Sequence, residues 1–167
     1  MKKTIAFVIL FTSLFISCEK EKESEDKISF TGITKTDEQG FVISEDTTDW
    51  KFNDKWIDEE INLFASQYNR NCQKTFDYKI IVFSNPNKGK FLINTKMPNT
   101  AMTEFRLVDK KFNKIISLDS IVTSDTFNSK DIAFNVNSFN KKGMLRLYYK
   151  IIENNCEFQG HGDILVE

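Results

Sequence analysis

The chain has 167 residues, 16 of them Phe, 40% hydrophobic residues overall and a formal net charge of −1 at pH 7. That length suits one domain with a sizeable core once a leader is set aside. The balanced charge offers no basic surplus for nucleic acid or for docking on anionic lipid.

Lys2 and Lys3 precede an apolar run that opens at Ile5 and reaches Ile16, interrupted only by Thr12 and Ser13. A run of about 12 residues falls short of the roughly 20 needed to span a bilayer. The segment 1–17 therefore reads as a signal peptide. Its end, Leu14-Phe15-Ile16-Ser17-Cys18, resembles a bacterial lipobox, with Phe15 where Leu is usual. In that chemistry a small residue fits the peptidase before the cut, and the Cys18 thiolate takes a diacylglyceryl group. Two or three acyl chains such as palmitate, at about 0.8 kcal/mol per buried methylene, hold a protein stably on a membrane. The alternative is an ordinary cleaved signal with an incidental cysteine.

With Cys18 lipidated, Cys72 and Cys156 remain as an even pair in an oxidising compartment. They are expected to form a disulfide contributing about 4–5 kcal/mol in the chain-entropy model. Glu19 to Lys27 contains no apolar residue, and residues 18–27 read as a lipidated cysteine plus a charged tether that cannot fold alone. An acidic cluster directly after a lipidated cysteine resembles export signals of some Gram-negative lipoproteins. The expected location is the outer membrane, on its outer face or its periplasmic face.

The remaining 28–167 are expected to form one domain. Ile28, Phe30 and Ile33 predict a first strand, Asp37-Glu38-Gln39-Gly40 a turn and Phe41-Val42-Ile43 its return. Glu45 to Gln67 carries the only helical pattern: Ile57, Ile61 and Phe64 share a face, Trp56 and Leu63 widen it, and Asn53 or Asp54 serves as cap. Asp46, Asp49, Asp54 and Asp58 lack the spacing of a calcium loop and are expected to cap turns or face solvent. Trp50 and Trp56 are expected as core or lid. Phe76 to Phe83 predicts a central strand, because Ile80 to Phe83 is apolar throughout. Asn85-Pro86-Asn87-Lys88-Gly89-Lys90 predicts a turn, Phe91-Leu92-Ile93 a strand, and Met97 to Thr100 a break. Thr103, Phe105 and Leu107 alternate with Glu104 and Arg106 as in a half-buried strand. Ile115 to Val122, Ile132 to Val136 and Leu145 to Ile151 follow, with a polar loop around Phe127 and a turn at Asn140 to Gly143. Asp163 to Val166 closes the chain. The predicted fold is mainly β: an antiparallel, immunoglobulin-like sandwich with one short N-terminal helix.

Val82 to Ile93, Phe105-Arg106-Leu107-Val108-Asp109 and Gly143 to Tyr149 resemble the β-sandwich sorting domain of type IX secretion cargo. The resemblance spans roughly residues 80–150 and implies an immunoglobulin-like sandwich. Ser84 replaces the first Pro of that domain's turn, and the chain runs on to Glu167 without a basic tail, so the sorting role is not carried over. Thr36 to Gly40, Asp49-Trp50 and Gly160-His161-Gly162-Asp163-Ile164 are similar to small exported bacterial lipoproteins, a pattern that implies no activity.

His161 is the only histidine. A His161–Asp163 pair would orient a base, yet no nucleophile elbow accompanies it. The preferred reading is a Gly-flanked turn in which the ring or Asp163 bonds backbone. One His and no Cys cluster argue against zinc, and no cofactor is implied. The sequence therefore predicts a non-catalytic binding module of the envelope with a protein or glycan partner. Its alternatives are an accessory subunit of an envelope assembly and, last, a glycan hydrolase with two facing carboxylates.

Overall fold

The structure, a computed structural model, describes residues 25–52, 55–122 and 129–167. The signal segment, Cys18, the tether up to residue 24, the capping pair Asn53 and Asp54, and the Phe127 loop lie outside the described residues. Nine strands, one α-helix and one 3-10 turn (Asn137–Phe139) are described: β1 (Lys35–Thr36), β2 (Val42–Ser44), α1 (Asp58–Ile61), β3 (Lys79–Phe83), β4 (Lys90–Lys96), β5 (Met102–Val108), β6 (Lys114–Val122), β7 (Ser129–Asn135), β8 (Gly143–Glu153) and β9 (Cys156–Val166). All strand pairs within the sheets are antiparallel. The chain is mainly β, as its alternating apolar pattern predicts. Three of the predicted turns carry a glycine with positive φ: Gly40, Gly89 and Gly143 have φ of 87°, 85° and 89°, values that L side chains adopt only with strain.

Two sheets share one core. The first has the order β3-β4-β7 and the second β6-β5-β8-β9. Ile80, Val82, Phe91, Ile93 and Phe134 from the first meet Phe105, Leu107, Leu147, Tyr149, Ile151 and Ile164 from the second. Phe91 stacks on Phe134 at 5.2 Å, and Phe105 meets Phe134 edge-on at 6.2 Å. Burying such side chains contributes roughly 1.5–3 kcal/mol each.

The second sheet is covered on its other face as well. Ile28, Trp56, Leu63 and Phe64 form a second buried cluster with Val108 and Tyr148. The segments 25–34 and 55–70 thus lie as a strap over β5, β8 and β9. This corrects the expectation that β5 is half-buried: Glu104, Arg106 and Val108 are buried along with Phe105 and Leu107. Alternation identifies the strand but cannot show that a remote segment covers its polar face.

The strap also explains why the predicted helix over 45–67 shrinks to the single turn 58–61. Leu63 and Phe64 are both buried although adjacent, which a helical stripe disfavours. Backbone carbonyls that would continue a helix are used elsewhere: Leu63 O accepts from Arg106 Nε at 3.0 Å, and Ser66 O accepts from Lys150 Nζ at 2.8 Å. Ile28 to Ile33 forms no strand; Lys27 N and Ile28 N instead donate to Lys110 O at 2.8 and 3.0 Å.

Four charged groups beneath the strap form two ion pairs. Lys150 Nζ lies 3.0 Å from Glu157 Oε2, and both side chains are fully inaccessible. Glu157 also accepts from Arg70 Nε at 2.5 Å and Tyr68 N at 3.0 Å. These donors hold its carboxyl below the usual range against the upward push of burial, the largest single influence. Lys150 Nζ lies 5.0 Å from the Phe64 ring. Arg146 grips Asp163 with two bonds, 2.6 and 2.7 Å. Replacing a whole buried pair by apolar groups is often neutral, whereas removing one partner costs about 3–5 kcal/mol.

Cys72 and Cys156 are joined, with Cα atoms 6.0 Å apart across a sequence separation of 84. The bond fastens the strap's end to the start of β9. β9 is longer than the predicted 163–166, running unbroken from Cys156. Gly160 and Gly162 are therefore strand residues, not turn residues. A Cβ at Gly160 would lie 1.8 Å from Lys51 O, and one at Gly162 would lie 2.3 Å from the Trp50 ring. They are glycine because the 49–52 segment and the Tyr149 ring pass directly against them.

β9 is the last strand of its sheet, and its free edge is closed by separate pieces of chain. Asn69 N donates to Asn155 O and Glu157 N to Asn69 O. Trp50 N donates to His161 O at 2.8 Å, and Asp163 N donates to Asp49 Oδ1 at 3.0 Å. The Asn85 side-chain amide then acts as a surrogate peptide: Nδ2 donates to Asp163 O at 2.9 Å, and Leu165 N donates to Oδ1 at 3.0 Å. Asn87 N completes the row on Leu165 O.

Two measurements check these forces. Urea denaturation of Cys72→Ser with Cys156→Ser should show a loss of about 4 kcal/mol; an unchanged midpoint refutes the bond. Asn85→Ala strands the carbonyls of Thr34 and Asp163 and the N–H of Leu165, and should cost about 2–4 kcal/mol at unchanged m-value.

Candidate functional site

The predicted strand 76–83 begins at Lys79 and is not central. β3 pairs with β4 alone. Its unbroken apolar run reflects a core face of Ile80 and Val82, and half-covered Ile81 and Phe83 on the other side. Gly40 of the β1–β2 turn packs against the Phe83 ring.

β3's free edge is closed at one end. Thr36 and Asn85 exchange backbone bonds of 2.9 and 3.2 Å, and Thr36 Oγ1 donates to Val82 O at 2.6 Å. In an antiparallel ladder, alternate residues point away from the partner strand. Since Val82 O points outward, so do the N–H and C=O of Ile80. They face a cleft of about 330 Å³ between the hairpin and the 49–52 segment, lined by Val42, Trp50, Phe52, Tyr78 and β3 itself.

The walls are fixed by packing. Trp50 lies parallel to Tyr149 at 6.2 Å and caps Gly162, while Phe52 meets Tyr149 edge-on at 5.4 Å and Tyr78 at 6.0 Å. Tyr149 Oη donates to Lys51 O at 2.5 Å, and Tyr78 Oη to Glu153 Oε2 at 2.5 Å. Burial, then the Glu153 carboxylate, push the Tyr78 hydroxyl far up, so it stays a donor. Trp50 thus acts as a lid over β9. The other tryptophan, Trp56, sits in the second cluster, stacked on Phe64 at 5.3 Å. Beside the cleft, Phe41, Val42 and Ile43 are 72%, 54% and 69% exposed, an unusual run of uncovered large apolar side chains.

Asp49, at the cleft's inner end, corrects the reading of the acidic residues near it as caps and a solvated face. It is buried and accepts from Thr34 N at 2.7 Å as well as from Asp163 N. Burial pushes its carboxyl up to about 6, with the nearby Asp163 carboxylate adding to the rise against both N–H donors. Asp46 does cap a turn, accepting from Thr48 N at 2.8 Å, and Thr48 holds its carboxyl below the ordinary value. Asp58 is exposed at the start of α1, and Asp54 lies outside the described residues.

His161 and Asp163 share the strap-side face of β9 without forming a relay. Both Asp163 oxygens are taken by Arg146, and the His161 ring packs against Tyr148 at 5.9 Å. Among the described residues, no group of three or more His, Cys, Asp or Glu is placed to hold a metal ion. Sequence reasoning missed the open edge of β3 and the role of Asn85. The doubled Asn around Pro86 was a signal, because two amides beside a residue lacking an N–H can stand in for strand backbone.

The raised Asp49 carboxyl has a definite sign. It binds its proton more tightly in the folded chain than in the unfolded one, where the value is about 3.9. Its contribution is present in full below about pH 4 and is lost as pH rises through about 6. The stability difference between the native chain and Asp49→Asn should shrink by on the order of 2 kcal/mol between pH 4 and 7. Chemical denaturation at each pH checks this; a pH-independent difference contradicts it. Compared with protein families, with curated proteins and with solved structures, the chain matches none.

Proposed function

We propose that this chain is a lipoprotein of the Gram-negative outer membrane. In this reading residues 1–17 are removed, Cys18 carries lipid, and residues 28–167 form an immunoglobulin-like binding module without catalytic activity. The strand orders support that type: β3-β4-β7 and β6-β5-β8-β9 correspond to strands A-B-E and C′-C-F-G of the immunoglobulin scheme. Loops and edges of such sandwiches carry function on a rigid scaffold.

The observation that carries the reading is the outward backbone of Ile80 at the open edge of β3, inside a cleft with fixed aromatic walls. An extended peptide fits that chemistry. It adds a strand through main-chain bonds and places alternate side chains against Val42 and Trp50. Between a protein and a glycan partner, the edge favours protein. The exposed row Phe41 to Ile43 favours a second reading, an accessory subunit whose permanent partner covers the hairpin.

The test selects peptides from a displayed random library against the full chain in detergent. Selected peptides should slow amide exchange at Ile80 and Val82, and Val42→Glu should weaken them about tenfold. Failure to select any peptide, or protection elsewhere only, sinks the peptide reading. A stoichiometric cross-linked complex that Phe41→Asp abolishes supports the subunit instead. For the anchor, labelled palmitate should enter the native chain and not Cys18→Ala; label retained by that variant refutes lipidation there.

A further inference from the structure

A second cleft, of about 580 Å³, lies between the turn that joins β5 to β6 and the turn that leads into β8. Lys110, Lys111, Lys141 and Lys142 line it, with Phe30 and Met144 among its apolar residues. We propose that this cleft takes the phosphate groups of anionic membrane lipids and so sets which side the domain turns toward the bilayer. The proposal rests on the lipid anchor of the preceding reading, but not on the peptide cleft.

Asp109 is the one carboxylate in the cleft, and it is already committed. It accepts from Lys111 N and Asn113 N at 3.0 Å, from Asn113 Nδ2 at 3.1 Å and from Lys141 Nζ at 2.9 Å. Those donors, Lys141 foremost, outweigh burial and hold its carboxyl at about 2, so it neither opens nor closes the site near neutral pH. Lys110 pairs with Asp26 at 2.9 Å. Lys111 and Lys142 have no ion pair among the described residues, and neither has exposed Lys27 next to Asp26. The cleft therefore carries a local positive surplus on a chain whose net charge is −1. Lysine ammoniums on flexible stems suit phosphate as point charges.

The location selects lipid over other phosphates. The chain enters the domain at this cleft, where Lys27 N and Ile28 N bond Lys110 O. Glu25 stands seven positions after Cys18, a span of at most about 25 Å when extended and roughly 15 Å on average when flexible. A lipidated Cys18 confines Glu25 within that distance of the headgroups, and Asp26 beside it pairs with Lys110 of the cleft. The anchor holds them near the surface, and the cleft then needs only modest affinity.

The test places the lipidated full chain in vesicles of phosphatidylcholine, alone or with about 30% phosphatidylglycerol, and measures lysine acetylation by peptide mass spectrometry. In the anionic vesicles, labelling of the four cleft lysines should fall about threefold while exposed Lys88 and Lys90 stay unchanged; about 0.5 M salt should abolish the protection. The double variant Lys111→Glu, Lys142→Glu should restore labelling of Lys110 and Lys141. Equal labelling in both vesicles overturns the proposal. So does equal protection by inorganic phosphate on phosphatidylcholine vesicles, which would mark a site for free phosphate. Failure to float with phosphatidylcholine vesicles refutes the anchor instead. In that event flotation of the same chain with anionic vesicles decides the cleft, and the double variant should reduce it by more than tenfold; no reduction overturns it.

Discussion

β9 has to end a sheet without exposing a sticky edge. An uncovered strand of eleven residues would template pairing with other chains. The solution recruits residues far apart in sequence: Asn69 at one end, Trp50 and Asp49 in the middle, Asn85 and Asn87 at the other. Side-chain amide and carboxylate groups alternate with true backbone, so the edge is closed without a tenth strand. The path of the first half of the chain follows from this requirement. The 49–52 segment must run beside β9, which places Trp50 on Gly162 and frames one wall of the cleft at β3. The open edge at Ile80 exists because the same hairpin region that could have covered it is held at Thr36 and Asn85.

The strap's second duty is electrostatic. The outer face of β8 and β9 carries Arg146, Lys150, Glu157 and Asp163, none of which is fully solvated. Arg70 and the carbonyls of Ser29, Leu63 and Ser66 come from the strap to meet them or their neighbour Arg106. Such pairs contribute little net stability compared with an apolar interface, but each is directional. They fix the register of a segment that has only the single turn of α1 and no strand to hold it.

The sequence made local periodicity legible and long-range covering illegible. Thr103-Phe105-Leu107, Ile132-Phe134 and Leu145-Leu147-Tyr149-Ile151 alternate because one face of each strand meets the shared core, and a pair of sheets follows from that. The disulfide was legible from the parity of cysteines left after Cys18. The helix was misread because Trp56, Ile57, Ile61 and Phe64 have helical spacing, yet Ile57 is 56% exposed and Leu63 is buried beside Phe64. The first half of β9 was hidden because Glu157, Gln159 and His161 look like surface, and Gly160 and Gly162 look like a turn. Only the strap makes that face interior. Net charge concealed the lysine cleft for a related reason: composition averages over a surface that the fold divides. The edge of β3 was illegible because Ile80 to Phe83 reads alike in a central strand and in an edge strand that is half-covered on its outer face.

The order in which the chain is made meets an awkward fact about the strap. Its apolar residues Ile28, Trp56, Leu63 and Phe64 appear first, and two of the three strands they cover, β8 and β9, appear last. Asp49 waits 114 positions for Asp163, and Ser29 waits 117 for Arg146. At translation rates of about 5–20 residues per second that interval is on the order of ten seconds. Until it ends, the leading third of the domain has at most β5 of the three strands it covers to fold onto. The nascent chain must therefore travel with its front exposed until its final strand emerges, and that strand completes both ends of the molecule in one event.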